Sequence, residues 1–382
     1  MLTPTPREHR PSIRRAVRVA CCAVAVLTSG WVVGGPPAAG QMAAPPFEEI
    51  ATGLSVNGRY TPLVGRFTGL DNREDILWYA PGSGPESLWQ ATGTPSTPFT
   101  QVSVPMVNGS YVPVVGDFSA DGFDDIIWYG PGSAPDTLWN FTPSGLVTRR
   151  LSISGTFTPV VIPNTTIPDA VFWYAPGTAT DWLWTFAPGT AQQTSAPYVV
   201  NGTYRPFAGD FDQDTLGDLF WYAPGPAPDV RWMRTGTQAA ASFTSATDPV
   251  SGTYVPIVGD FGTNGKFVAG TSDIAWTTTT GTDQIWDRQE TSTHRSAATI
   301  TAPKVVQVGR PGADALIGWG GTGGDIVWRS TTLGGDTSRR TDLAKVATDA
   351  IPVVGRFGDT DDESVLWYRP GAGAERYWTT YE

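Results

Sequence analysis

The chain has 382 residues, with 25 Lys and Arg against 36 Asp and Glu for a formal net charge of −11, and it carries 44 Gly, 33 Pro, 16 Trp, 16 Phe and 12 Tyr. That length exceeds one ordinary core and implies several domains or one repetitive array. The turn-formers and aromatics point to an all-β protein, and the acidic balance excludes a nucleic-acid or anionic-membrane binder.

Arg7, Arg10, Arg14, Arg15 and Arg18 precede an apolar run from Ala20 to Val26 that continues loosely to Val33, followed by Ala38, Ala39 and Gly40. This order marks residues 1–40 as a secretory signal peptide cleaved near Gly40, and Arg14 with Arg15 hints at twin-arginine export. An uncleaved anchor is the alternative, and against it the apolar run is shorter than the ~20 residues that a span needs. Both cysteines, Cys21 and Cys22, lie in the leader, so the exported chain has no thiol and must be held by packing, closure or metal. Without the leader, 20 basic residues face 35 acidic ones, a net charge of −15. The expectation is a secreted monomer with no stable membrane insertion, in which residues 41–46 form a short linker and 47–382 a single repetitive domain.

Setting Trp31 and Trp182 aside, the other fourteen tryptophans form seven pairs: Trp78 with Trp89, Trp128 with Trp139, Trp173 with Trp184, Trp221 with Trp232, Trp276 with Trp286, Trp319 with Trp328, and Trp367 with Trp378. Successive pairs recur every 43 to 55 residues. Around each pair the order is the same. "YVPVVGDF" (111–118) leads to "DDIIWYGPG" (124–132), then to "DTLWNF" (136–141) and a ragged polar stretch. This reads as an apolar strand ending at a Gly turn, a second strand after an Asp-rich loop, a Pro-Gly hairpin, a third strand and an outer fourth. The second strand is apolar on both faces, as face-to-face stacking of sheets requires. Seven such repeats predict a seven-bladed β-propeller of four-stranded blades. The stretch 47–60 resembles the fourth strand of the other repeats, whereas the last repeat supplies only three. The N-terminal strand is therefore expected to complete the C-terminal blade and remove an open edge.

An acid stands three residues before the second Trp of every pair: Glu86, Asp136, Asp181, Asp229, Asp283, Asp325 and Glu375. Repetition in every blade favours a structural bond, capping a turn or linking blades, over a functional site.

The loop "GDFDQDTLGD" (209–218) places Asp210, Asp212, Asp214 and Asp218 at positions 1, 3, 5 and 9. Alternate carboxylates on a tightly wound loop converge, and hard oxygens at that spacing suit calcium, with the Leu216 carbonyl as a further ligand. The loop is shorter than an EF-hand's and lacks its twelfth-position Glu.

The "GDF…D…D" loops followed by "(I/L)(L/F)WY" resemble the FG-GAP or VCBS repeat family, which includes the integrin α-subunit head and several lectins. The likeness spans about residues 47–382. It implies a propeller with calcium loops and multivalent glycan binding as one candidate function. Carried over residue by residue, blade two supplies Asp117, Ser119, Asp121 and Asp125 with the Phe123 carbonyl. Blade five keeps Asp260, Asn264 and Asp273 but stretches the loop, which counts against a site there, and in blade three only Asp169 remains, so that site reads as lost. Blades one, six and seven place Arg66, Arg310 and Arg356 first. There a guanidinium can stand among acids such as Asp71, Asp314 or Asp359 in place of the cation, or the loop is simply solvated.

Beyond the leader the sole histidine is His294, on a polar stretch read as an outer strand. That excludes a Ser-His-Asp, Cys-His or ordinary zinc site, and no phosphate loop is present. Paired carboxylates of a polysaccharide hydrolase stay open in principle. Tyr60, Tyr111, Phe157, Tyr204 and Tyr254 follow an "NG" or "SG" turn before blades one to five, either as core rings or as stacking platforms for neutral sugars. The reading is a secreted, non-catalytic, calcium-binding propeller that acts as an adhesion or lectin-like module for a glycan or an extracellular protein. An extracellular hydrolase and an envelope scaffold are the alternatives.

Overall fold

The structure, a computed structural model, describes residues 47–382 except 70, 226, 239, 262–270, 280–282, 290–291, 299–301, 310–313, 322–324, 331–336, 344, 372–374 and 381–382. The expected leader and linker lie outside the described residues. The described chain forms seven antiparallel four-stranded sheets. Six of them use four consecutive strands. In the seventh, the N-terminal strand Phe47–Ile50 pairs with Arg376–Thr380, Phe47 opposite Thr380 and Ile50 opposite Tyr377. The ring closes as the repeat pattern requires, and the architecture is a seven-bladed β-propeller.

The first strands of neighbouring blades contact one another around the axis, for example Thr61–Gly65 with Val112–Gly116. The second strands are Asp75–Tyr79, Asp125–Tyr129, Ala170–Tyr174, Asp218–Tyr222, Asp273–Thr277, Ala315–Trp319 and Ser364–Tyr368, and every one of their residues is buried. Burial of both alternating faces follows from the stacking of one sheet on the next.

The first Trp of each pair fills that interface. Trp128 meets Trp139 of its own blade at a ring-centroid distance of 5.3 Å and Tyr79 of the preceding blade at 4.9 Å. The same pairing across blades joins Tyr129 to Trp173, Tyr174 to Trp221, Tyr222 to Trp276 and, across the closure, Tyr368 to Trp78, all at 5.0–5.2 Å. Edge-on and tilted geometries of this kind are the favoured ones for aromatic pairs. The indole Nε1 atoms of Trp78, Trp128, Trp173, Trp221, Trp276, Trp319 and Trp367 have no hydrogen-bond partner, so these side chains act purely as wedges.

Polar bonds fix the same joint. The Tyr79 hydroxyl donates to the Gly109 carbonyl and accepts from the Tyr111 amide, and Tyr129, Tyr174, Tyr222 and Tyr368 repeat this clamp on the next segment. The glycine of each clamp has φ between +127° and +140° and lies under the ring two residues on; a Cβ on Gly109 would sit 2.8 Å from Tyr111 Cε2. Only glycine meets both demands.

The repeated acid performs two capping roles. Asp181 accepts from the Ala175 amide at the hairpin (2.7 Å) and from the Val200 amide in the segment leading to the next blade (2.6 Å). Asp136 and Asp229 do the same. Glu86, Asp325 and Glu375 hold the linking segment, and Asp283 holds the hairpin. Replacing Asp181 by Ala leaves two buried amides without acceptors, and we expect a loss of about 2–6 kcal/mol in urea unfolding, at ~1–3 kcal/mol per orphaned group.

Candidate metal centre

The loops between first and second strands lie at the end of the ring opposite the Pro-Gly hairpins. In blade four the carboxylate oxygens of Asp210, Asp212 and Asp218 fall within 4.8 Å of one another, the one such group among the described residues. Asp218 is fully buried because it opens the second strand, while Asp210 and Asp212 are half-buried. Asp214 is exposed and outside this group, its Oδ1 accepting from the Leu216 amide at 2.8 Å. Leu216 itself is half-buried.

The loop is wound by its own first residue. Asp210 accepts from the amides of Gln213 (2.7 Å) and Thr215 (3.1 Å), and those two residues hold φ of 68° and 72°. A left-handed β-branched Thr is costly, on the order of 1 kcal/mol or more, and such outliers persist where the surroundings impose them. Blade two repeats the winding. Asp117 accepts from Asp121 and Gly122, and Ala120 and Gly122 have φ of 54° and 92°. Of the four non-glycine residues with positive φ among those described, three lie in these two loops.

The last acid closes the loop in both blades. Asp218 accepts from the Phe211 amide (2.8 Å) and the Arg234 amide (2.7 Å). Asp125 accepts from Phe118, Phe141 and the Asn140 side chain. A carboxylate oxygen with one such bond keeps a lone pair, so the donor set of blade four fits a hard divalent cation such as calcium. Blade two has Ser119 where blade four has Asp212, with its Oγ 3.5 Å from Asp117 Oδ1. Asp117, Asp121 and Asp125 therefore do not gather as tightly, and Phe123 turns its ring into the core while its amide donates to Asp121.

Burial pushes Asp218 up to about 8 and Asp125 up to about 9, with the neighbouring carboxylates adding to the rise. Asp210 rises to about 6 for the same reasons in the same order, opposed by its two amides. Asp212 is raised by burial and by the Asp214 charge.

Several sequence expectations are corrected. In blade three, whose site the sequence reads as lost, Ala170 opens the second strand, and Asp169 accepts from the Asp117 amide of blade two at 3.0 Å and from the Asn164 amide of its own loop at 2.9 Å. Asp314 likewise accepts from the Asp260 amide of blade five. In blade one the guanidinium among the acids is that of Arg73, not Arg66. It bonds Asp71 at 2.5 Å and Asp359 of blade seven at 2.7 Å. A Cβ on Gly122 in blade two would lie 3.8 Å from the Arg66 guanidinium. Arg310 and Asn264 lie outside the described residues.

These corrections expose a ring of bonds that the sequence reading missed. The residue before the second strand accepts from an amide of the preceding blade and returns its own amide to the same residue's carbonyl. Asp124 does so with Arg66, Asp169 with Asp117, Ser272 with Asp210, Asp314 with Asp260, Glu363 with Gly309, and Glu74 with Arg356. The signal is the paired acids of "EDIL", "DDII" and "DES".

Tyr60, Tyr111, Tyr204 and Tyr254, with Phe157, are half-buried and lie edge-on to the first Trp of their blades at 6.1–6.4 Å. They are packing rings of the joint at the end opposite the Asp loops.

No family model matches the chain, and no curated protein matches it in sequence. Among solved structures it is similar to one described as the crystal structure of BBS1N in complex with ARL6DN, soaked with lead. The TM-score is 0.51 at 11% identity, covering 86% of this chain and 95% of that one. The likeness supports the propeller fold.

A carboxyl whose folded pKa lies above its unfolded value of ~3.9 contributes stability that is fully present below the unfolded value and lost as pH rises through the folded one. The metal-free protein should therefore lose stability progressively from about pH 4 to about pH 9, through Asp218 and Asp125. Chelator-treated thermal melts across that range check this, and Asp125→Asn should flatten the upper part of the slope.

Proposed function

We propose that this chain is a secreted, non-catalytic binding propeller of the FG-GAP or VCBS type, whose blade-four loop, and more weakly its blade-two loop, takes calcium. The observation that carries the reading is the convergence of Asp210, Asp212 and Asp218 on a strained loop that Asp210 itself winds. Calcium accepts six to eight oxygens at flexible angles, and a divalent ion relieves the repulsion among these carboxylates.

The acids argue for binding over hydrolysis. Asp136, Asp181 and Asp229 have both carboxylate oxygens engaged by main-chain amides, which takes them out of general acid and base work. The end of the ring opposite the Asp loops offers a surface. There Met106, Val112, Val199 and Val255 are exposed on the segments between blades or at the starts of first strands. Between blades one and two, a cavity of about 350 Å³ is lined by Phe67, Leu88, Val102, Phe123, Phe141 and Leu146. Its apolar walls suit a protein side chain better than a sugar hydroxyl, so a protein partner is the first reading and a glycan the second. The similar solved propeller is described with a protein partner, which favours the same order.

At free calcium tenfold above its dissociation constant, one site adds about 1.4 kcal/mol. We expect calcium to raise the melting temperature by a few degrees at pH 8 and by little at pH 5, and Asp212→Asn with Asp218→Asn to remove most of the shift, leaving the weaker blade-two part. Partner capture from extracellular protein and on a glycan array, with and without chelator, tests the binding role. Turnover of a polysaccharide without stable binding would sink it.

A further inference from the structure

The joint between blades three and four differs from its neighbours. At the two preceding joints a loop Phe packs on a third-strand Phe of the next blade, Phe67 on Phe141 at 5.1 Å and Phe118 on Phe186 at 4.7 Å. The loop position lies two residues past the first strand, and the partner lies two residues past the second Trp. At the third joint these positions hold Asn164 and Arg234.

Arg234 is 1% exposed. Its Nη1 donates to Asn164 Oδ1 at 2.9 Å and its Nη2 to Gln238 Oε1 at 2.7 Å, while Nε has no partner. The same Asn164 oxygen accepts from the Gly217 amide at 3.2 Å, and the Arg234 amide holds Asp218. Gly217 stands where other blades carry a linking side chain, so the Asn164–Arg234 pair replaces both the aromatic contact and that bond. A buried guanidinium bonded to neutral amide oxygens is an expensive substitute for two rings, since a buried charge is stabilising only where other charges compensate it. The charges within reach are those of Asp214, Asp218 and Asp169, which favour its charged form against the effect of burial.

We propose that Arg234 is a resident cation of the blade-four loop: its guanidinium, bonded to the same Asn164 oxygen as the Gly217 amide, supplies part of the positive charge that the neighbouring Asp218 otherwise takes from a bound divalent ion. The loop then keeps its winding without metal, and metal binds against a charge already present. Blade two has the neutral Phe141 at this position and lacks that competitor. The inference rests on the calcium reading and adds a determinant of its affinity.

The test is terbium titration of the full chain by tryptophan-sensitised luminescence, competed with calcium, on wild type, Arg234→Met and Arg234→Lys. Both variants lose the bonds to Asn164 and Gln238, and only Lys keeps the charge. The expected result is about tenfold tighter binding by the Met variant, the scale of one unscreened neighbouring charge, with Lys near wild type. Adding Asp218→Asn to the Met variant should remove the gain and so place it in blade four. Equal affinity of Met and wild type overturns the inference, as does an equal gain in Lys, which would assign the effect to packing. If the Met variant does not fold, Asn164→Phe with Arg234→Phe restores the aromatic pair and must show the same gain, and its absence overturns the proposal. No binding by wild type or by any charge-removing variant overturns the calcium reading and this one together, whereas wild-type binding unaffected by charge removal overturns this one alone.

Discussion

The ring depends on indoles that fill the wedge between one blade and the next. Sheets radiating from an axis diverge outward, and the space between them must be packed at interior density. In five blades the first Trp spans it, touching the second Trp of its own blade and the Tyr of the blade before, and Trp367 meets Trp319 instead. Because the wedge side chain enters from the second strand, that strand must be buried on both faces. Its end must also be fixed in height, and the Tyr hydroxyl clamp does this. Joint geometry thus dictates the residue pattern, and the pattern repeats because the joint does.

This explains why the fold was legible in the sequence. Tryptophan spacing counts wedges, doubly apolar second strands declare stacking, and the missing fourth strand of the last repeat matches the spare one before the first. The clamp was not legible, because a Tyr next to a Trp reads as more core until its hydroxyl is seen between Gly109 and Tyr111. The linking ring was hidden for a different reason. Asp124 and Asp125 are adjacent and chemically identical, yet one faces the preceding blade and the other its own loop. A one-residue difference in strand direction separates those roles, and in blade three it makes Asp169 a linker. Arg234 was invisible because it acts through a residue seventy positions away.

The candidate metal site is built on a structural acid. Asp75 in blade one accepts from the Thr68 and Ala91 amides, as Asp125 and Asp218 accept from their loops and third strands. Yet blade one begins its loop with Arg66 and gathers no acidic group. The acid that opens the second strand therefore has a reason to be there whether or not a cation is bound, which is to tie the loop to the third strand. Blade four differs from blade one by Asp210, which winds the loop as Asp117 does in blade two, and from both by Asp212, which supplies charge with no comparable structural duty.

From this follows a division of labour between the ends of the ring. At the Pro-Gly end the repeated acid of blades two, three and four is consumed by two segments that must be held at fixed spacing, so its variation there is costly. At the other end the linking bonds need only one acceptor per joint, and Ser272 serves as well as Asp124. The remaining loop positions are then free to become a cation site in blade four, an Arg73 bridge between blades one and seven, or an Asn–Arg pair between blades three and four. The Arg73 bridge and the buried Arg234 each set a cation near carboxylates at that end of an acidic molecule, and the ion proposed for blade four would do the same.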